Sequence, residues 1–179
     1  MKKNFIRFNE GINLSLKKIM TAKKNTFYFG LGADDSGRVF NTTNNLKELF
    51  GNYRVFDTPL SENAMTGIAV GMSINNQIPI MSHQRLDFFL LAMDQLVNSA
   101  AKWNFMFGKQ RTVNMVIRLI VGRGWGQGPT HSQNLQSWFA HIPGLKVMAP
   151  SFPSTCSGIL EQAIKDKNPT IIIENRWCH

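Results

Sequence analysis

The chain has 179 residues, of which 43% are hydrophobic and 17% charged, and this is the usage of one globular domain rather than of a disordered chain. Its longest apolar runs are far shorter than the about 20 residues that cross a bilayer, so we expect no membrane segment. Its two cysteines are too few for a disulfide framework or a zinc site, so we expect a protein of the reducing cytoplasm. The net charge of +9 does not predict nucleic-acid binding, because seven basic residues and one acid fall within residues 1–24, and a basic terminal helix is usually a solvated face.

Hydrophobic periodicity predicts strands that alternate with helices along the whole chain. The predicted helices cover residues 9–22, a short segment ending at Gly51, 62–73, 87–105, 133–140 and 154–166. The predicted strands cover 27–31, 54–56, 78–81, 113–121, 145–148 and 170–173, with a loop over 32–46. The helix over 87–105 is apolar nearly all round, which predicts deep burial. This order predicts an α/β fold of three layers, with a mostly parallel sheet between two layers of helices.

Three loops follow predicted strands, at residues 57–62, 82–87 and 122–132. Because parallel α/β sheets bind ligands beyond the carboxyl ends of their strands, function is expected at these loops. The third loop contains the run GRGWGQG over residues 122–128. Its glycine spacing is not that of a dinucleotide fingerprint, and no Walker-type lysine follows, so a tight or flexible loop is favoured over a phosphate site.

Glu62 stands at a predicted strand-to-helix junction, where two interpretations are evenly balanced. With Ser61 as a cap, the glutamate would only complement the helix dipole, which is worth at most about 1 kcal/mol. Alternatively, it is a chemical group at the ligand-binding edge, since the loop places it there.

The histidines leave similar alternatives open. His131 closes the glycine loop and suits either a packing role or an acid–base role at the mouth of an active site. His83 directly follows a predicted strand and fits either purpose, whereas His141 fits a structural role better. Neither cysteine forms a convincing nucleophile–base arrangement with any of them.

Short segments over nearly the whole chain from about residue 30 match one protein family in order and with few gaps. They are Arg54–Glu62 (RVFDTPLSE), Thr66–Gly71 (TGIAVG), Met93–Lys102 (MDQLVNSAAK), His131–Gln133 (HSQ), His141–Val147 (HIPGLKV), Ala163–Pro169 (AIKDKNP) and Glu174-Asn175. Together they resemble the β subunit of the decarboxylase component of 2-oxo acid dehydrogenase complexes. The resemblance is to its thiamine-pyrimidine-binding, transketolase-like domain.

The resemblance implies roles for individual residues. Glu62 would hydrogen-bond a ring nitrogen of the aminopyrimidine of thiamine diphosphate and favour the imino tautomer, whose exocyclic nitrogen removes the thiazolium proton; the cofactor then serves as the electron sink for decarboxylation. His131 would stabilise the substrate carboxylate or the intermediate, or assist acyl transfer to a lipoyl group. Phe88 would stack on the pyrimidine, although plain helix core is an equally open interpretation, and Gln84 would also contact the cofactor.

The resemblance further implies two metal ions. A structural potassium ion would be held mainly by backbone oxygens of Met115, Ala163, Ile164, Asp166 and Asn168. The family binds the diphosphate and Mg²⁺ through a GDG stretch followed by an asparagine, and no GDG occurs in this sequence. A partner chain is therefore expected to hold the diphosphate and Mg²⁺.

Three features depart from the family pattern. The segment Ser82–Arg85 replaces a mostly apolar stretch, and Arg85 would either pair with an acidic substrate group or exclude the usual substrate. The glycine loop, which contains Arg123 and Trp125, differs from the dehydrogenase pattern. It is closer to the GPTH motif of related synthases and transketolases. The sequence stops at His179, where the family's β subunit continues, so we expect either a piece of a longer chain or a separate carboxyl-terminal domain.

The sequence thus predicts one pyrimidine-binding domain over residues 1–179, with a basic region at 1–24, in a β-type subunit that decarboxylates a 2-oxo acid and passes the acyl group to lipoamide. The cofactor would lie at the interface with an α-type subunit in a heterotetrameric dimer of dimers, with a lipoyl acyltransferase as a further partner. One alternative is a split transketolase- or synthase-like transferase of two-carbon or acyl units, which Arg85 and the GPTH wording favour. Another is a non-catalytic scaffold subunit, against which Glu62 and His131 argue.

Overall fold

The chain folds around a six-stranded sheet whose neighbouring strands all run parallel, as seen in a computed structural model that describes residues 6–35, 37–124 and 126–179. The strands are β1 (Thr26–Gly30), β2 (Val55–Phe56), β3 (Ile78–His83), β4 (Val116–Val121), β5 (Lys146–Met148) and β6 (Thr170–Asn175), in the spatial order β2-β1-β3-β4-β6-β5. The chain moves outward from β1 to β2 and returns to β3 on the other side of β1. The strand order therefore reverses between β1 and β3, which is where open sheets of this kind bind ligands.

Helices cover both faces of the sheet and confirm the predicted three-layer α/β class. They are α1 (Phe8–Ala22), α2 (Arg38–Asn41), α3 (Leu46–Phe50), α4 (Glu62–Ile74), α5 (Leu86–Phe89), α6 (Ala101–Met106), α7 (Gln136–Ala140) and α8 (Pro153–Lys165). Of these, α2 is a single left-handed turn, with positive φ at all four residues. The helices α1 and α8 pack together over one face, while α4, α7 and the segment from α5 to α6 cover the other. None of the described helices is long and apolar enough to cross a membrane.

Alternation along the strands divides the core into two. Phe27 and Phe29 of β1 lie in the core under α4, whereas Tyr28 between them lies in the core under α1 and α8. Ile171 and Ile172 of β6 divide in the same way. Successive side chains of a strand point to opposite faces, so a sheet covered on both sides needs the nearly continuous apolar runs that predicted these strands.

The predicted long helix over residues 87–105 is wrong in two respects. The segment is broken into α5, a 3₁₀ turn at Leu90–Ala92, a π-helix at Gln95–Ala100 and α6. It is also not buried all round, because Leu91 is 70% exposed and Phe105 86% exposed. Only the face toward the sheet packs in the core, and the apolar outer face is uncovered by the described part of the chain.

Replacing Gly144 with alanine is expected to lower the free energy of unfolding by about 2–3 kcal/mol. Gly144 turns the chain into β5 with φ +96°, and an added Cβ would overlap the carbonyl oxygen of Ala101. Gly158 is the matched control, because it lies within α8 and an added Cβ there meets no atom within 4 Å. Gly158→Ala should leave the protein unchanged or up to about 1 kcal/mol more stable in urea denaturation. Equal effects of the two changes would contradict this account of Gly144.

Both cysteines are free thiols. Burial raises the pKa of Cys156 to about 12, so this thiol stays protonated near neutral pH. It is therefore poorly suited to act as a nucleophile, as the sequence indicated.

Candidate functional site

A cavity of about 340 Å³ opens at the carboxyl edge of the sheet, where β1, β2 and β3 end. Its lining residues are Leu31, Gly32, Asp35, Asp57, His83, Gln84 and Phe88. Two of the three loops predicted to carry function, 57–62 and 82–87, thus contribute to one cavity. It coincides with the reversal of strand order between β1 and β3, the expected ligand-binding position in such a sheet.

Hydrogen bonds from the loop after β1 fix one wall of this cavity. The N–H of Gly32 donates to Oδ1 of Asp57 at 2.9 Å, and the N–H of Thr58 donates to the same oxygen at 2.8 Å. The amide of Gln84 donates to the carbonyl oxygen of Leu31 at 3.4 Å. Gly32 has φ +73°, and an added Cβ would overlap the Gln84 amide, so glycine is required where these loops meet.

Phe88 joins the cavity to the loop that ends at His131. The two rings meet edge-on, with centroids 5.3 Å apart and planes at 89°. Asp87, next to Phe88 in α5, accepts from the Gln133 backbone N–H at 3.3 Å and from its side-chain amide at 2.8 Å. The fold therefore brings the predicted residues Gln84, Phe88 and His131 into one continuous surface.

Glu62 begins α4 at the same edge of the sheet but does not line the 340 Å³ cavity, and neither does His131. Its side chain is only 6% exposed. Within the described residues its carboxylate has no hydrogen-bond or ion-pair partner, and the side chain of Ser61 makes no capping bond. The carboxylate oxygens are not among the fully buried atoms, so they remain open at the helix N-terminus to a bound partner from outside the chain.

The glycine loop is anchored on both sides. Arg85 donates through Nη2 to Oε1 of Gln127 at 2.7 Å and through Nη1 to the carbonyl oxygen of Gln84 at 2.6 Å. Trp177 donates through Nε1 to the carbonyl oxygen of Arg123 at 3.0 Å. Burial, and after it the charge of Arg176, lowers the pKa of Arg85.

Trp125, the other loop residue that the sequence singled out, lies outside the described residues, as do residues 1–5 of the predicted basic region. Sequence reasoning missed Gln127 and Trp177 as loop anchors. The sequence carries no signal for these two contacts, because each joins residues that are far apart along the chain and form no local pattern.

A charged network buried beneath this edge was also missed. Arg118 donates through Nε to Oε1 of Glu174 at 2.5 Å and through Nη2 to Oε2 at 2.7 Å. It also donates to the hydroxyl of Tyr28 at 2.7 Å and to that of Thr42 at 3.1 Å. Nε2 of His179 lies 3.2 Å from Oε2 of Glu174 without hydrogen-bond alignment. The sequence did contain one signal for this network, which is Arg118 inside an apolar strand. A charge in such a position needs a buried partner.

The residues predicted to bind potassium gather at the opposite, amino edge of the sheet. They are Met115, Ala163, Ile164, Asp166 and Asn168. Asn114 donates to the Ile164 carbonyl at 3.0 Å. Asn168 donates to the Asp166 carbonyl at 3.1 Å. A carbonyl oxygen has two lone pairs, so each of these oxygens keeps one that is available to a potassium ion. The potassium site stays a prediction.

A cavity of about 530 Å³ also lies at the amino edge and is cationic in character. Its basic lining residues are Lys23, Lys109, Arg111, Lys165 and Lys167, and no acidic residue lines it. It lies at the opposite edge of the sheet from Glu62, His131 and the predicted cofactor contacts. Within the part of the chain that the structure describes, no three His, Cys, Asp or Glu residues gather as a metal site.

Comparison with known proteins places these residues in a family. The family model for the transketolase pyrimidine-binding domain matches residues 6–177. Subunit beta-2 of the mitochondrial pyruvate dehydrogenase E1 component of Oryza sativa subsp. japonica is 36% identical over 170 residues, which are 95% of this chain and 45% of that protein. The beta subunit of acetoin:2,6-dichlorophenolindophenol oxidoreductase of Cupriavidus necator is 42% identical over 151 residues, 82% of this chain and 44% of that protein. The chain thus spans less than half the length of these relatives.

A solved structure supports the same assignment at the level of the fold. A split-gene transketolase, described as an inactive beta4 tetramer, superposes with a TM-score of 0.75 and 18% identity over 97% of this chain and 52% of that one. The resemblance inferred from the sequence is confirmed, and the chain belongs to the transketolase pyrimidine-binding domain family.

Proposed function

We propose that this chain is the pyrimidine-binding part of a thiamine-diphosphate-dependent 2-oxo acid dehydrogenase, in which it acts as a β-type subunit. The enzyme would decarboxylate a 2-oxo acid and pass the acyl group to lipoamide. The observation that carries the proposal is the largely buried side chain of Glu62, which begins α4 at the carboxyl edge and whose carboxylate has no partner among the described residues. The family and the dehydrogenase β subunits among its relatives support it.

The residues at this edge fit the aminopyrimidine end of thiamine diphosphate. Phe88 offers an aromatic face and Gln84 an amide in the cavity, while Glu62 supplies a carboxyl group that no internal donor occupies. When bound, thiamine diphosphate supplies the electron sink for decarboxylation. Glu62 would hold a proton at a ring nitrogen of the pyrimidine, and Phe88 would pack on the ring. His131 lies edge-on to Phe88, and from there it would meet the substrate.

An α-type partner would complete the site by holding the diphosphate and Mg²⁺, and two such pairs would form a heterotetramer. The relatives named as beta subunits support this arrangement. Exposed apolar side chains support it as well: Leu60, two residues before Glu62, is 77% exposed, and Leu91 and Phe105 form the uncovered face of the α5–α6 segment. Apolar surface of this kind is characteristic of protein interfaces. The lipoyl acyltransferase partner and the cytoplasmic location stay predictions.

A transferase that uses an acceptor other than lipoamide is the second candidate. Arg85 favours it, because this guanidinium is held by Gln127 beside the cavity residue Gln84 and places positive charge at the mouth. A charged substrate with an anionic tail would suit that position better than pyruvate alone.

The complex of this chain with its partner is expected to release CO₂ from a 2-oxo acid and to acylate lipoamide, both only when thiamine diphosphate is added. A panel of 2-oxo acids with and without lipoamide measures the two steps separately. In the acylation the dithiolane disulfide is reduced while the acyl carbon is oxidised, so no outside oxidant is needed. If product formed with an aldehyde acceptor but not with lipoamide, the dehydrogenase proposal would be wrong and the transferase would take its place. No thiamine-dependent reaction under either condition would contradict both and favour the scaffold subunit.

A further inference from the structure

His83 is a buried residue of the cavity that the family roles do not use. It ends β3 and is 5% exposed. Its ring packs on Phe89, with centroids 4.9 Å apart, and the residue lines the cavity beside Gln84 and Phe88.

The Nε2 atom of His83 is a buried polar atom without a hydrogen-bond partner among the described residues. Burial lowers the pKa of His83 to about 4, so the imidazole is neutral near pH 7 and offers one N–H donor and one nitrogen acceptor. Leaving such an atom unsatisfied is energetically unfavourable. Nε2 is closed to solvent in this structure, so a ligand in the cavity would hydrogen-bond it once the imidazole ring turns toward the cavity, and that bond would satisfy the atom.

The cavity's lining selects the kind of ligand. Asp35 and Asp57 contribute carboxylates, and no lysine or arginine is among the lining residues, so a phosphate or carboxylate group is disfavoured there. Phe88 offers a ring face, and Gln84 and His83 offer hydrogen-bonding groups next to it. A flat, neutral heterocycle with polar ring atoms satisfies all three.

We propose that His83 is a binding residue for the aminopyrimidine of thiamine diphosphate, with Nε2 hydrogen-bonded to the polar edge of that ring. This role is additional to that of Glu62, and it rests on the proposed function.

The test is the dissociation constant of thiamine diphosphate, measured by calorimetry with Mg²⁺ present on the complex of this chain with its partner. His83→Phe, which keeps a ring but loses the nitrogen, is expected to weaken binding about 5- to 10-fold. His83→Gln, which restores a polar atom, is expected to remain within about 3-fold of wild type. The matched control His141→Phe changes a histidine on an exposed turn and should leave the constant unchanged.

Thiamine diphosphate analogues identify the contact directly. In each, one pyrimidine nitrogen or the exocyclic amino group is replaced by a C–H or a hydrogen. For the analogue that lacks the atom bound by His83, wild type and His83→Phe should have the same dissociation constant, as in a double-mutant cycle. An unchanged constant in His83→Phe, or the same weakening with every analogue, would overturn the role of His83 alone. No binding of thiamine diphosphate by the wild-type complex would overturn the proposed function together with it.

Discussion

Replacing Glu62 with glutamine is expected to lower kcat by about 10²- to 10⁴-fold, the range typical of a lost acid–base group. Glutamine keeps the shape of the side chain but could not share a proton with a pyrimidine nitrogen, which is the role proposed for Glu62. Glu62 is buried with no partner among the described residues, so its replacement by a neutral amide should leave the free energy of unfolding nearly unchanged. The measurements are steady-state decarboxylation and urea denaturation of the same preparation.

Glu48 provides the matched control. It too lies in the first turn of a helix, α3, but it is exposed and paired with Arg38. Glu48→Gln should keep full turnover, since it removes only an exposed ion pair with Arg38 and a favourable helix-dipole contact. If Glu62→Gln kept more than about one tenth of wild-type turnover, Glu62 would be a first-turn acid like Glu48, and its chemical role would be lost.

Replacing Arg118 with methionine is expected to lower the free energy of unfolding by about 3–5 kcal/mol, because it leaves the carboxylate of Glu174 buried without its cation. The double change Arg118→Met with Glu174→Leu removes both charges and should recover much of that loss. Lys18 and Glu161 form an exposed pair, and Lys18→Met should be close to neutral. Urea denaturation measures all three. A double variant as unstable as Arg118→Met would contradict the ion pair as the cause.

The same pair makes stability depend on pH. Burial alone would raise the pKa of Glu174, but the charge and hydrogen bonds of Arg118 outweigh it and lower that pKa to about 2, from an ordinary value of 4.5. A lowered carboxyl pKa contributes stability above the unfolded pKa, and this contribution is lost as pH falls through the folded pKa. Wild type should therefore lose more stability between about pH 5 and pH 2 than the variant Arg118→Met with Glu174→Leu. Parallel pH profiles would contradict this assignment.

The sequence predicted the sheet well because the central strands β1, β3 and β4 are buried on both faces. The apolar runs of β3 and β4 stand between turn residues, and no other element accommodates such runs so readily. It also predicted that Glu62 and His131 lie at the carboxyl edge, because both follow strands, and their functional roles stay predictions. Whether Glu62 was a cap or a chemical group could not be decided from one chain position, because that depends on partners brought together by the fold.

Other features were beyond the sequence for physical reasons. The segment from α5 to α6 is as apolar as a core helix, yet Leu91 and Phe105 are exposed, because an apolar pattern does not distinguish burial in the chain from burial by a partner. The contact of Arg85 with Gln127 joins residues 42 positions apart, and that of Arg118 with Glu174 joins residues 56 apart. Long-range polar pairs of this kind leave no periodic signal.

Affinity capture of this chain from its native lysate, with its bound cofactor quantified, tests the central claim most directly. The account predicts recovery of a second chain that carries GDG and a downstream asparagine, with about one thiamine diphosphate for each copy of this chain. A lipoyl acyltransferase in the same eluate would favour the dehydrogenase over the transferase. Recovery of neither a GDG-bearing chain nor thiamine diphosphate would contradict the claim that Glu62 and the carboxyl edge form half of a shared active site.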